Sequence, residues 1–132
     1  MAFNSQALLA NLTERERIHG HHSPEGQAIR LLSRALSGWS SETLAATDVV
    51  VLCWQAVADW LKQRLKRLPW SVSTLTELSA AAVSAGLLSQ SEGEHLQRLD
   101  NLSAQSRAGA LIAVEIDHLL ETTIAIVEQH WS

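Results

Sequence analysis

The chain has little of several residue types, and each scarcity excludes a class of protein. Its single cysteine, Cys53, rules out a framework of intramolecular disulfides and suits a reducing compartment. Ten basic residues against fourteen acidic ones give a net charge of -4, so the composition offers no general surface for a polyanion. We therefore expect neither nucleic acid nor an anionic membrane as a partner.

Long apolar runs are also missing. No stretch approaches the ~20 residues that a membrane helix needs, and no basic-then-apolar leader occurs between Met1 and Leu12. We expect a soluble, cytoplasmic protein. Its 132 residues, of which 46% are hydrophobic, are enough for a single domain with a conventional core. Within it, residues 1–23 form an N-terminal helix and turn, and residues 24–132 form the main bundle.

Helix breakers are few, and no strand-and-hairpin pattern competes with the helical spacing. The two prolines are Pro24 and Pro69, and most of the six glycines fall where a helix could begin or end. The predicted helices cover approximately residues 5–18, 24–37, 42–68, 75–85, 90–105 and 112–131. The sequence thus predicts an all-α fold, a compact helical bundle with one long central helix.

The long helix is predicted from Glu42 to Leu68, with Ser41 as its cap, because no breaker intervenes before Pro69. Its apolar residues cover more than half of the circumference, which indicates a helix contacted from several sides. They are Val49, Val50, Cys53, Trp54, Ala56, Val57, Trp60, Leu61 and Leu65. The four cations between Lys62 and Arg67 suit the negative end of the helix dipole.

Capping boxes mark the starts of the next two helices. Thr74 with Glu77, and Ser89 with Glu92, have the spacing that satisfies the first amide groups of a helix. The last helix has an apolar face that should point inward, formed by Ile116, Leu119, Leu120, Ile124 and Val127.

Histidines offer two possible metal sites. His19, His21 and His22 cluster in a predicted turn, but no cysteine or distant carboxylate completes a ligand set, so we expect solvated histidines there. The motif Glu-x-x-His of di-iron bundles occurs twice, ending at His95 and at His118. Glu92 of the first motif is already expected to cap its helix together with Ser89. We expect no metal and no cofactor.

Other catalytic signatures are missing. No Gly-x-Ser-x-Gly, P-loop or Gly-x-Gly-x-x-Gly sequence occurs, and Cys53 in its apolar run is typical of a small buried side chain. Among the tryptophans, Trp54 and Trp60 are predicted to be core, whereas Trp39 and Trp70 flank the long helix and suit a contact with a partner.

Several segments resemble the HEPN (higher eukaryote and prokaryote nucleotide-binding) domains. Residues 28–38 (AIRLLSRALSG), 44–46 (LAA) and 54–62 (WQAVADWLK) resemble the first two helices of that family. Residues 85–89 (AGLLS) and 96–102 (LQRLDNL) resemble the approach to its third helix. The resemblance covers about residues 25 to 130. It implies a bundle of four or five helices that dimerises and either cleaves RNA or accompanies a nucleotidyltransferase-type protein.

The catalytic members of that family carry an Arg followed by a His four to six residues later. Ser103 and Ala108 stand at those positions here, so the resemblance implies a degenerate ribonuclease motif. No His follows Arg98 or Arg107 at a suitable distance, and without an imidazole no group of suitable pKa handles the proton. The resemblance leaves Arg98, Asn101 and Arg107 as candidate binding residues in this segment.

Two function hypotheses follow. The first is a non-catalytic helical interaction module, a homodimer that binds a protein partner. The resemblance implies a partner of the nucleotidyltransferase type. The alternative is a metal-independent ribonuclease or toxin of the HEPN type, which would use Arg17 and His22 because their spacing matches the family motif outside its usual place. A metal-binding bundle built on His95 and His118 ranks last.

Overall fold

The computed structural model describes residues 5–20, 23–66, 74–109 and 115–129. These residues form six helices and no strand, which confirms the all-α class. Six helices match the number of predicted segments and exceed the four or five that the HEPN resemblance implies. In chain order the helices are α1 (Ser5–His19), α2 (Pro24–Ser40), α3 (Ala46–Arg64), α4 (Leu75–Ser84), α5 (Gln90–Arg107) and α6 (Ile116–Gln129). None of these helices is long and apolar enough to cross a membrane.

The first two helices form a hairpin. Gly20 adopts a φ of +87°, in the left-handed region where glycine has no steric penalty, and it ends α1. Ser23 then caps α2, because its hydroxyl accepts a 2.9 Å hydrogen bond from the Gly26 amide. Leu12 of α1 and Ile29 of α2 are fully buried. The two helices therefore pack through an apolar seam.

The junction between α2 and α3 differs from the prediction. Ser41 does not begin the long helix, because its amide donates a 3.0 Å hydrogen bond to the Ser37 carbonyl and so ends α2. Glu42 follows at a φ of 59°, the left-handed conformation that terminates many helices. The long helix consequently begins at Ala46, where the Asp48 carboxylate accepts a 3.2 Å hydrogen bond from the Ala45 amide. The predicted start at Glu42 was wrong.

Helix α3 is the longest helix and the centre of the described fold. It packs against α2, α4, α5 and α6. Its buried residues are Val49, Val50, Cys53, Ala56, Val57, Ala58, Trp60 and Leu61. Most of the wide apolar surface predicted for this helix is therefore covered by other helices of the same chain, and its width supplies no argument for a dimer. The helix ends at Arg64, where Leu65 is its cap and Lys66 adopts a φ of 56°, so the predicted continuation to Leu68 was wrong. Residues 67 and 68 lie outside the described residues.

Both predicted capping residues begin their helices. The Thr74 hydroxyl accepts from the Glu77 amide at the start of α4, and the Ser89 hydroxyl accepts from the Glu92 amide at the start of α5. Glu92 also returns the bond, since its carboxylate accepts a 2.8 Å hydrogen bond from the Ser89 amide. Glu92 is thus a capping residue.

Helix α6 presents the predicted face to the core. All five residues expected to point inward are buried, together with Thr123 and Ile126. This face packs on α3 and on α2. The predicted extensions of the helix to residues 112 and 131 fall outside the described residues.

Candidate functional site

Cys53 lies on α3, inside the core of the bundle, and is fully buried. Burial raises the pKa of its thiol to about 12, because the thiolate would lose its hydration. The thiol is therefore protonated near neutral pH. The prediction that Cys53 is a small core side chain is confirmed, and a nucleophilic role does not fit this environment.

His95 and His118 come near each other across α5 and α6. His95 Nε2 lies 3.2 Å from the buried Thr123 Oγ1, and the ring is partly buried. Burial, and after it the nearby His118 and Arg98, lower the pKa of His95 to about 4. The described residues contain no group of three or more histidine, cysteine or acidic side chains that could hold a metal ion. This pair therefore lacks the carboxylates that a di-iron bundle needs.

Arg17 is paired on its own helix. Its Nε and Nη2 atoms lie 3.1 and 2.6 Å from the two carboxylate oxygens of Glu14, at the exposed surface of α1. This hydrogen-bonded ion pair raises the pKa of Arg17 and lowers that of Glu14. His21 and His22 lie outside the described residues, and so does the side chain of His19. The proposed Arg17 and His22 pair therefore stays a prediction.

The two positions of the degenerate motif occupy different environments. Ser103 is 1% exposed and points into the core, where its hydroxyl has no hydrogen-bond partner among the described residues. Ala108 follows the last residue of α5 and is exposed. A long charged side chain at position 103 would have to enter the apolar core, which is costly without a partner.

The three candidate binding residues are all exposed on α5 but do not form one cluster. Arg98 and Arg107 are nine residues apart, which places them on about opposite sides of a helix with ~3.6 residues per turn. Arg98 lies near His95, whereas Arg107 lies over the ring of Trp54. Asn101 is exposed between them in the sequence. Arg107 is thus the member that joins a larger constellation.

Asp100 is the centre of that constellation, and the sequence analysis missed it. Its Oδ1 accepts a 2.8 Å hydrogen bond from Trp54 Nε1 on α3. Its Oδ2 accepts bonds of 3.2 and 2.7 Å from the amide and the hydroxyl of Thr76 in the first turn of α4. One carboxylate therefore joins three helices. In the sequence, Asp100 stands between Leu99 and Leu102 and belongs to no recognisable local motif. Its role as a hydrogen-bond acceptor becomes visible only when α3 is packed against α5.

Trp54 is half-buried, which corrects its predicted place in the core. The Arg107 guanidinium stacks above its ring, with Cζ 4.2 Å from the ring centroid, a geometry that favours a cation–π interaction. We call the group formed by Trp54, Thr76, Asp100 and Arg107 the Trp54 patch. At its centre lies the partly exposed ring of Trp54, whose orientation is fixed by a hydrogen bond at its edge and a cation on its face.

Two further tryptophans show the contrast with this patch. Trp60 is 3% exposed, as predicted for a core residue, and Arg64 lies 6.0 Å from its ring centroid. Trp39 is half-buried, and its Nε1 donates a 2.8 Å hydrogen bond to Asp117 Oδ1 on α6. Trp70, the other residue predicted to contact a partner, lies outside the described residues.

Comparison with protein-family models, with curated proteins and with solved structures gives no match. The interpretation of function therefore depends on the residues themselves. The Trp54 patch joins side chains of three helices, α3, α4 and α5, at the surface.

Proposed function

We propose that this protein is a non-catalytic helical interaction module with an HEPN-like bundle, which forms a homodimer and binds a protein partner. The observation that carries the proposal is the fixed, half-exposed ring of Trp54 with Arg107 stacked on it. Tryptophan and arginine are the residues most enriched at the energetic centres of protein interfaces. By its HEPN resemblance, the partner is of the nucleotidyltransferase type.

The Trp54 patch is suited to binding because its geometry exists before a partner arrives. The hydrogen bond from Trp54 to Asp100 fixes the indole, and Thr76 fixes the carboxylate. A side chain that is already immobilised loses little conformational entropy on association, where ordering a flexible side chain costs about 0.5 to 1.5 kcal/mol. A partner can therefore bury this ring at low entropic cost.

The non-catalytic part of the proposal is supported by the roles that reactive side chains already have. Burial keeps the Cys53 thiol protonated, and the partly buried imidazole of His95 lies against Thr123. Arg17 is paired with Glu14, and both carboxylate oxygens of Asp100 accept hydrogen bonds. Each group has a structural partner or lies in the core, whereas general acid–base catalysis requires a group in reach of a substrate proton.

Sedimentation equilibrium at micromolar concentrations tests the dimer. We expect the wild-type chain to sediment as a two-fold dimer, and Trp54→Ala to weaken that dimer while Ile18→Ala does not. Ile18 is a matched control because it is an apolar residue on α1 with 60% of its surface exposed. A monomer throughout this concentration range would contradict the homodimer.

Incubation with RNA, with and without EDTA, tests the absence of catalysis. We expect no cleavage under either condition. Cleavage that disappears in His22→Ala would favour the ribonuclease alternative built on Arg17 and His22. Cleavage that EDTA suppresses would instead favour a metal-dependent bundle, for which His95→Ala and His118→Ala are the variants to compare.

A further inference from the structure

Helix α1 is anchored to the fold by few buried side chains. Among its described side chains only Leu12 is fully buried, while Leu8 and Leu9 are half-buried against the core. Helix α6, which is one residue shorter, buries seven side chains. Full burial of one leucine corresponds to about a tenfold to hundredfold preference for the packed state. The attachment of α1 is therefore much weaker than that of α6.

The contacts of α1 are also confined to one neighbour. In the part of the chain that the structure describes, α1 packs against α2 and has at most marginal contact with the other four helices. Helix α2 is held independently, since it also packs against α3 and α6. An open groove of about 340 Å³ lies between the start of α1 and the end of α2, lined by Gln6, Leu9, Ser37, Ser40 and Ser41. Departure of α1 would thus leave the packing among α2 to α6 intact.

The turn that follows α1 depends on two glycines. Gly20, at a φ of +87°, can leave this conformation for others without steric penalty. Its carbonyl oxygen accepts a 2.9 Å hydrogen bond from the Ser23 hydroxyl, and a Cβ atom added at Gly26 would collide with the same oxygen. The position of α1 on α2 therefore requires a close approach of the turn to Gly26.

We propose that α1 is a detachable arm, which undocks from α2 about Gly20 while α2 to α6 remain folded. The inference goes beyond the proposed function, because it involves neither the homodimer nor the Trp54 patch. A helix of 15 residues is marginal in water on its own, so the undocked arm also loses its helical hydrogen bonds. Undocking uncovers the apolar seam of α2 that contains Ile29, which is fully buried in the docked state. Helix α1 is thus a removable cover for one face of α2.

Native-state hydrogen exchange followed by mass spectrometry tests the arm, because it reports the opening of each helix separately. In the wild type we expect the amides of α1 to exchange at least about a hundredfold faster than those of α3. Leu12→Ala should accelerate exchange in α1 by about tenfold to a hundredfold and leave exchange in α3 unchanged. Equal protection of α1 and α3 in the wild type would overturn the inference.

Gly26→Ala displaces the turn and leaves the leucine seam unaltered. The added methyl group crowds the Gly20 carbonyl only while α1 is docked, so exchange in α1 should again rise by about tenfold or more, with α3 unaffected. Gly93→Ala is the matched control, since its Cβ atom would crowd Val83 between α4 and α5. It should accelerate exchange in α4 and α5 and leave α1 unchanged.

The same measurements separate an independent arm from a cooperative bundle. If Leu12→Ala or Gly26→Ala accelerates exchange in α3 as much as in α1, then α1 unfolds only together with the other helices, and the inference is wrong. None of these readouts depends on association. A monomer in sedimentation equilibrium would therefore contradict the homodimer without affecting the arm, and equal protection of α1 and α3 would contradict the arm without affecting the homodimer.

Discussion

The indole of Trp39 donates a 2.8 Å hydrogen bond to the carboxylate of Asp117, two residues that lie 78 positions apart in the chain. The bond joins α2 to the first turn of α6. Both side chains are partly buried, so water competes less for the two groups than at the open surface. This hydrogen bond and the buried face of α6 together hold the last helix against the bundle.

The first prediction concerns the contribution of the Trp39–Asp117 hydrogen bond to stability. Trp39→Phe removes the donor and Asp117→Ala removes the acceptor, and we expect a coupling of about 1 to 2 kcal/mol between them in a double-mutant cycle of unfolding free energies. The cycle cancels the separate effect of Asp117 on the α6 dipole. Additive single effects, measured by urea unfolding, would mean that the hydrogen bond contributes nothing to stability.

The second prediction compares two tryptophans of α3. Trp60 is 3% exposed, so Trp60→Ala should cost about 3 to 5 kcal/mol of unfolding free energy, the usual range for a buried large aromatic residue. Trp54 is half-buried, and Trp54→Ala should cost less, about 2 kcal/mol. Urea unfolding followed by circular dichroism measures both. Equal losses would contradict the exposed position of the Trp54 ring.

The third prediction uses the contact between α4 and α5. A Cβ atom added at Gly93 would lie 2.7 Å from Val83 Cγ2, closer than two carbon atoms can approach. Gly93→Ala should therefore destabilise the fold by about 1 to 3 kcal/mol, although alanine is the better helix former. Adding Val83→Ala removes the obstructing methyl groups and should recover part of the loss. A stabilising effect of Gly93→Ala alone would show that the helices separate easily.

The sequence predicted the features that depend on near neighbours in the chain. Caps such as Ser89 with Glu92, and the apolar spacing of α6, depend on residues three or four positions apart, so their pattern is visible in the sequence. The start of α3 was missed because Ser41 has a side chain that can cap a helix and no breaker follows it before Pro69. Ser41 ends α2, while the residue that precedes α3 is Ala45, which has no side-chain acceptor.

The candidate surface could not be predicted because it depends on long-range pairing. Trp54 and Asp100 are 46 positions apart, and Thr76 and Asp100 are 24 apart. In the sequence Trp54 belongs to a wide apolar stripe, which led to its assignment to the core. Only the packing of α3 against α5 shows that one edge of the stripe borders solvent and that Asp100 faces the indole.

The final prediction is a pH dependence of stability caused by His95. The pKa of His95 is lowered to about 4 in the folded protein, chiefly by burial and then by His118 and Arg98, whereas an unfolded histidine titrates near ~6.5. Between these values the unfolded chain binds a proton that the folded chain does not. The stabilisation associated with neutral His95 is therefore complete above pH ~6.5 and declines as the pH falls towards ~4.

Comparison of the wild type with His95→Gln isolates this contribution. Glutamine retains a polar group that can reach Thr123 Oγ1 but does not titrate. Between pH ~7 and pH ~4.5 the wild type should lose about 1 to 2 kcal/mol more unfolding free energy than the variant, allowing for the part of the ring that solvent reaches. Asp59, whose pKa is raised by burial, acts in the opposite direction but is present in both proteins and cancels. Urea unfolding at both pH values gives the difference, and parallel losses in the two proteins would show that His95 is solvated in the folded state.

His118→Gln serves as the control on α6, because the His118 side chain is exposed and its loss should leave most of the pH dependence in place.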